Sequence, residues 1–204
     1  MEYLISILLG YFLGSIPFGL VLAYLSGYGD IRKQGSGNIG TTNVLRVTKR
    51  KDLTLLTLIL DAGKAGFAAL LATWIFGCPL VGLVAGLAGV IGHNFPIWLN
   101  FKGGKGVAST LGMMLATYPS VGLAACITWV FMAIVFKYSS LSALTALTLS
   151  PFYAYAFAAL AGHEAYPYVL AYTFLALLSI VRHRANIERL INKKESKINF
   201  KKKK

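Results

Sequence analysis

The chain has 204 residues, of which 56% are hydrophobic and only 13% charged, and its mean hydropathy is +0.65. Soluble domains carry about twice that charged fraction, and here the apolar residues run in long blocks, which excludes a soluble globular protein and points to a polytopic membrane protein. The formal net charge of +13 would suggest nucleic acid in a soluble domain; placed between apolar blocks it follows the positive-inside rule instead, and no nucleic-acid partner is expected.

Met1-Glu2-Tyr3 carries no basic n-region, and no A-x-A-like site precedes the first polar loop, so block 3–27 is expected to be a retained span. The loop from Asp30 to Arg46 contains G-x-G-x-x-G at Gly35, Gly37 and Gly40. That pattern signals dinucleotide binding only inside a βαβ unit, and here it follows a membrane block. A P-loop is excluded too, because Thr41 and Thr42 stand after Gly40 where its lysine should be. What remains is a cluster of small polar residues and glycine, Ser36, Gly37, Asn38, Thr42 and Asn43, closed by Arg46, whose guanidinium fork suits phosphate. Block 53–76 holds Asp61 and Lys64, three positions apart and so neighbours on a helix. Unpaired intramembrane charges cost at least ~2.5–3.5 kcal/mol each, so the two are expected to pair with each other or to line a substrate cavity. Cys78 and Cys126 are too few for a disulfide framework or a metal site and read as packing residues.

Block 80–92 is short and runs into Gly92-His93-Asn94-Phe95-Pro96. Some acyltransferases deprotonate an alcohol with a His-x4-Asp dyad; Trp98 stands five positions after His93, so that dyad is absent. His93 is expected to pack or cap the helix end, with phosphate contact as the second reading. Phe101-Lys102-Gly103-Gly104-Lys105-Gly106-Val107 follows, directly before a second short block, 107–118. Its glycines free the backbone to turn N–H groups toward one point, Lys102 and Lys105 add positive charge, and the helix start completes an anion site. Blocks 122–138, 140–160 and 166–181 complete the apolar segments. At the end of the last, helical spacing puts His183, Asn186 and Leu190 on one face with Arg182 and Arg189 beside it, and lets Arg184 pair with Glu188. The basic tail, 190–204, ending in Lys201 to Lys204, suits contact with anionic lipid.

The basic residues set the topology. If both short blocks cross, there are seven spans, the N-terminus is outside, and every basic loop and the tail face the cytoplasm; the connections 77–79, 119–121 and 161–165 carry no lysine or arginine. The expected fold is therefore an all-α polytopic membrane protein with seven transmembrane helices, two of them short, in a single domain over 1–204.

Gly14-Ser15-Ile16-Pro17-Phe18-Gly19, the Gly35–Arg46 loop, Gly92-His93-Asn94-Phe95-Pro96 with Phe101 to Ala108, and His183 to Leu190 together resemble the bacterial acyl-phosphate-dependent glycerol-3-phosphate acyltransferases of the PlsY type. The similarity runs over most of the chain. Departures are Thr41, where the family usually has alanine, Ser109, where threonine is common, and Ile191-Asn192-Lys193-Lys194-Glu195, which lacks the usual glycine. The resemblance implies transfer of a fatty acyl group from acyl phosphate to the 1-hydroxyl of sn-glycerol 3-phosphate, giving lysophosphatidic acid and phosphate, the first step of phospholipid synthesis. It implies the bacterial cytoplasmic (inner) membrane, a site facing the cytoplasm, no metal or other cofactor, and a soluble partner that forms the acyl phosphate. By motif position, Ser36, Arg46, Lys105, His183 and Asn186 become the expected functional residues.

Acyl phosphate is a mixed anhydride whose leaving group needs little protonation, so the protein must mainly bring two anions together. The expected assignment gives Lys105 and its loop to the donor phosphate, Ser36 to Arg46 to the adjoining phosphate, and His183 with Asn186 to the acceptor, with the donor phosphate taking the proton. The competing class is a transporter or channel for an anionic solute, motivated by Asp61, Lys64 and the two glycine-rich short blocks. Polar motifs gathered on one predicted side count against it.

Overall fold

The computed structural model describes residues 1–162 and 164–198, and every regular element among them is helical. The first apolar block forms two helices, α1 (Glu2–Ser15) and α2 (Phe18–Leu25). The break has a local cause: Pro17 offers no N–H and biases Ile16 to extended backbone, at φ −65° and ψ 117°. A 3-10 turn (Ile31–Lys33) and α3 (Thr41–Thr48) carry the first polar loop. Then come α4 (Lys51–Phe76), α5 (Pro79–Asn94), a 3-10 turn (Ile97–Leu99), α6 (Val107–Thr117), α7 (Pro119–Phe136), α8 (Ser139–Ala161), α9 (Tyr166–Arg182) and α10 (Arg184–Ile191).

Five segments are long and apolar enough to cross a bilayer: Glu2–Leu25, Lys51–Phe76, Pro79–Leu99, Pro119–Phe136 and Ser139–Ala161. Val107–Thr117 and Tyr166–Arg182 are shorter apolar helices. Block 80–92 outgrows its expected length because the helix starts at Pro79 and the 3-10 turn continues it to Leu99. The 11 residues of α6 rise only ~16 Å, against a hydrocarbon core of ~30 Å. Leu55, Ile59, Phe67, Leu70 and Trp74 of α4 are exposed, as a lipid-facing stripe requires. Both cysteines are free thiols.

The chain divides into two units, Met1–Pro119 and Ser120–Lys204. Lipid tails are as apolar as leucine, so helices inside a bilayer associate through close backbone approach rather than hydrophobic exclusion. The first unit is built this way. Gly10 lies against Ala85 and Gly14 against Gly89; a Cβ on Gly14 would sit 2.0 Å from the Gly89 carbonyl oxygen. These pairings run α1 parallel to α5. Gly66 and Ala62 meet Gly112, which runs α4 parallel to α6, while Gly82 meets Thr73 and Gly89 meets Ala65, which sets α4 antiparallel to α5. Gly19 at the start of α2 packs on Ile39 and Thr57, nearer the start of α4 than Ile16, whose carbonyl meets Lys64. The connections α2–α4 and α5–α6 therefore lie at one end of this unit, and both glycine-rich loops with them.

In the second unit, Thr128 Oγ1 and Tyr153 Oη are 2.8 Å apart and join α7 to α8. Pro151 lies inside α8 and leaves the Leu147 carbonyl without its helical donor; the Ser150 hydroxyl supplies one at 2.8 Å. Lys137 turns the chain between α7 and α8 with φ 62°. The segment after α10 returns to that turn: Ile198 N–H donates to the Lys137 carbonyl at 2.6 Å, and Lys197 Nζ lies 5.6 Å from the Tyr138 ring centre. The lysines expected to touch lipid, Lys201 to Lys204, lie outside the described residues.

Candidate active site

The first polar loop is organised around Asn43, which is 1% exposed. Its Nδ2 donates to the carbonyls of Asn38 (2.7 Å), Ile31 (2.9 Å) and, at longer range, Gln34 (3.3 Å), and its Oδ1 accepts the Ser36 N–H at 2.8 Å. The amide is thus fully engaged with the loop backbone, an arrangement that fixes the loop's shape. Asn38 Oδ1 accepts the Gly40 N–H at 3.3 Å, so part of this side chain is also turned inward. Ser36, Gly37, Thr42 and Arg46 remain exposed. Thr42 and Arg46 are one helical turn apart on α3, and the Ser36–Asn43 bond holds Ser36 beside the first turn of that helix. Ser36 and Thr42 therefore stand at the N-terminus of α3, where the helix adds partial positive charge, and Arg46 follows one turn on, in the last turn of the same short helix. At the loop's entrance Arg32 clamps Asp30 through both carboxylate oxygens and lowers its pKa to about 2.

The second loop departs from the sequence expectation. The N–H groups of Gly103 and Gly104 do not converge outward; they donate to the Asn94 and His93 carbonyls at 3.2 and 3.0 Å, closing the end of α5. Glycine is needed for contact rather than for freedom. A Cβ on Gly103 would lie 2.2 Å from the His93 carbonyl oxygen, and one on Gly104 would lie 2.0 Å from His93 Nε2. Gly106 does use its freedom, capping α6 with φ 77°. The groups placed to meet an anion are the half-buried Lys105, the exposed Lys102 and the first N–H groups of α6.

Beneath this loop lies a buried ionic cluster. Lys64 Nζ donates to Asp61 Oδ1 at 2.9 Å and to the Ile16 carbonyl at 2.8 Å, at the Pro17 break, where that carbonyl also accepts the Phe18 N–H. His93 Nδ1 lies 3.6 Å from Asp61 Oδ1. Asp61, Lys64 and His93 are 2%, 6% and 4% exposed. The expected Asp61–Lys64 pair is present, and the buried His93 faces Asp61. This His–Asp proximity was missed in the sequence because the two residues lie 32 positions apart on antiparallel helices, with no local spacing to reveal it.

In the second unit, His183 and Asn186 are buried and share the inward face, as their spacing predicted. His183 Nδ1 lies 2.8 Å from the Ser179 carbonyl oxygen, which can only accept, so the neutral ring carries its proton on Nδ1 and its lone pair on Nε2. Asn186 Nδ2 donates to Glu195 Oε1 at 2.7 Å. The ion pair of this segment runs from Arg189 to Glu195 at 2.7 Å. Ser140 Oγ completes the set by donating to the same Glu195 Oε1 at 2.7 Å. Burial alone would push the Glu195 carboxyl up; the hydrogen bonds from Arg189, Asn186 and Ser140 together outweigh it and hold the group below its ordinary value. Glu195 is the other residue the sequence left unmarked. It reaches Asn186 from a polar tail through a turn at Lys193, whose φ is 56°. Arg182 is half-buried at the end of α9.

A family model described as glycerol-3-phosphate acyltransferase matches residues 4–193. A glycerol-3-phosphate acyltransferase of Rhodospirillum rubrum is 58% identical over 203 residues, covering 96% of this chain and 91% of the relative. One from Caulobacter vibrioides is 51% identical over 200 residues, covering 97% and 88%. Among solved structures, the chain is similar to PlsY, an integral membrane glycerol 3-phosphate acyltransferase. Its glycerol 3-phosphate form gives a TM-score of 0.87 at 38% identity, and its lysophosphatidic acid form 0.85 at 36%, each covering 98% of this chain and 96% of the other.

Proposed function

This chain belongs to the glycerol-3-phosphate acyltransferase family, and from that premise we propose that it transfers a fatty acyl group from acyl phosphate to the 1-hydroxyl of sn-glycerol 3-phosphate. The products are lysophosphatidic acid and inorganic phosphate. One observation carries the reading: the likeness extends over 98% of the chain to an integral membrane acyltransferase crystallised in forms named for both the acceptor and the product. In this reading the protein sits in the bacterial cytoplasmic membrane with seven crossings, α6 and α9 being the short ones. The N-terminus is outside, and both glycine-rich loops face the cytoplasm, where the phosphorylated substrates are.

The acceptor hydroxyl oxygen attacks the acyl carbon, the bond from that carbon to the bridging oxygen breaks, and phosphate leaves with the electron pair. The donor phosphate takes the hydroxyl proton, so the protein's task is placement and charge compensation. Lys105 and the start of α6 hold the donor phosphate, with Lys102 at the rim. Ser36, Thr42 and Arg46 around α3 hold the neighbouring phosphate. Asn43, with its amide engaged by the loop, serves as the frame of that loop rather than as a ligand. His183 and Asn186 orient the acceptor. A soluble enzyme that makes acyl phosphate and anionic lipid at the basic tail complete the expected partners.

The test separates an enzyme from a transporter. Purified protein in proteoliposomes is given labelled glycerol 3-phosphate, with and without palmitoyl phosphate. Label passing into the solvent-extractable lipid fraction only when palmitoyl phosphate is present supports acyl transfer. Label accumulating unchanged inside the vesicles contradicts it.

A further inference from the structure

Asp61 and Lys64 belong to none of the three polar motifs, yet they form the most deeply buried ion pair among the described residues, at 3% side-chain exposure each. Unpaired, such charges are costly inside a bilayer; paired, they are matched for stability by apolar residues of similar volume. Their surroundings suggest what the pair does. Asp61 Oδ1 faces His93 Nδ1 at 3.6 Å, and the opposite nitrogen of the same ring fills the space over Gly104 that a Cβ would need. The His93 carbonyl accepts the Gly104 N–H at 3.0 Å. Ser109 Oγ, in the first turn of α6, donates to the Asp61 carbonyl at 2.7 Å. Lys64 fixes Asp61 from the other side and ties it to the α1–α2 break.

We propose that Asp61 and His93 are positioning residues for the Lys105 loop. The carboxylate sets the imidazole, and the imidazole sets the backbone one residue before Lys105. Neither touches substrate. The inference rests on the reading that Lys105 holds the donor phosphate. A shift of the loop by a fraction of an ångström misplaces the ammonium relative to that phosphate, which weakens donor binding and leaves the acceptor's own contacts in place.

The experiment measures kcat, the KM for palmitoyl phosphate, the KM for glycerol 3-phosphate and the thermal midpoint of purified Asp61→Asn, His93→Gln, the double variant and Lys105→Ala. Asp61→Asn leaves Lys64 buried without its counter-charge, so Asp61→Asn/Lys64→Met is included as a variant with a neutral interior. Asp61→Asn, its Lys64→Met companion and His93→Gln should each raise the KM for palmitoyl phosphate roughly 10-fold, with the KM for glycerol 3-phosphate changed less than about 2-fold. The Asp61→Asn/His93→Gln variant should be no worse than the more damaged single variant within about 2-fold, because one residue acts through the other. Additive effects, or a lower thermal midpoint with unchanged KM values in the folded fraction, overturn the proposal. If Lys105→Ala raises the donor KM and the Asp61 and His93 variants do not, the positioning role alone fails. If Lys105→Ala leaves the donor KM unchanged, the Lys105 assignment fails and the proposal with it.

Discussion

Replacing Asn43 with alanine tests whether the first loop depends on one buried amide. The substitution removes the donor serving Ile31, Asn38 and Gln34 and the acceptor serving Ser36. Ile31 is fully buried, and its carbonyl keeps only the Gln34 N–H, at 3.2 Å. Each of the three shorter bonds contributes a net ~0.5–1.5 kcal/mol, and the long one to Gln34 adds little. Together the loop should lose about 2–4 kcal/mol, and even ~2 kcal/mol raises its open fraction about 30-fold. Asn43→Asp should do at least as much damage, since it turns a carboxylate toward carbonyl oxygens. Limited trypsin digestion reads the opening directly, because Arg32 and Lys33 lie in this loop and cleavage follows the open population when opening is fast. Faster cleavage after these residues, with activity lost in parallel, is the expected result. Wild-type cleavage rates combined with lost activity would refute the reasoning and return Asn43 to the ligand.

Glu195 predicts a pH dependence. Its folded pKa lies below the unfolded value near 4.5, so its contribution to stability is fully present above that value and is lost as pH falls through the folded pKa. The stability difference between wild type and Glu195→Gln, followed by thermal unfolding, should be constant from neutral pH down to about 4.5 and shrink below it. Lys193 holds a left-handed backbone at φ 56°. Lys193→Gly should relieve ~1 kcal/mol of strain, partly offset by glycine's freedom in the unfolded chain, and raise the thermal midpoint by a degree or two.

Where structure followed from local pattern, the sequence was a sufficient guide. The apolar blocks became helices at nearly their expected limits, such as 53–76 within Lys51–Phe76 and 107–118 at Val107–Thr117. His183 and Asn186 share a buried face as three-residue spacing requires, and Asp61 with Lys64 pairs as i,i+3 spacing allows. What escaped was set by packing between distant segments. Gly103 and Gly104 read as free donors, but the close approach of the loop to α5 commits their N–H groups to His93 and Asn94. Asn43 read as a ligand because its polar type is visible in sequence, whereas its burial and the four backbone groups around it are not. Asp61 met His93, and Glu195 met Asn186, only through the tertiary path of the chain. The helix break at Pro17 was equally hidden: the apolar block runs unbroken through it, and the Ile16 carbonyl there takes Lys64 as a second donor beside the Phe18 N–H.

The most direct test of the central claim is a product balance with purified protein, palmitoyl phosphate and glycerol 3-phosphate. One inorganic phosphate should be released for each lysophosphatidic acid formed, dependent on both substrates and strongly reduced in Lys105→Ala. Phosphate release without the acyl product, or acyl product at undiminished rate from Lys105→Ala, would contradict it.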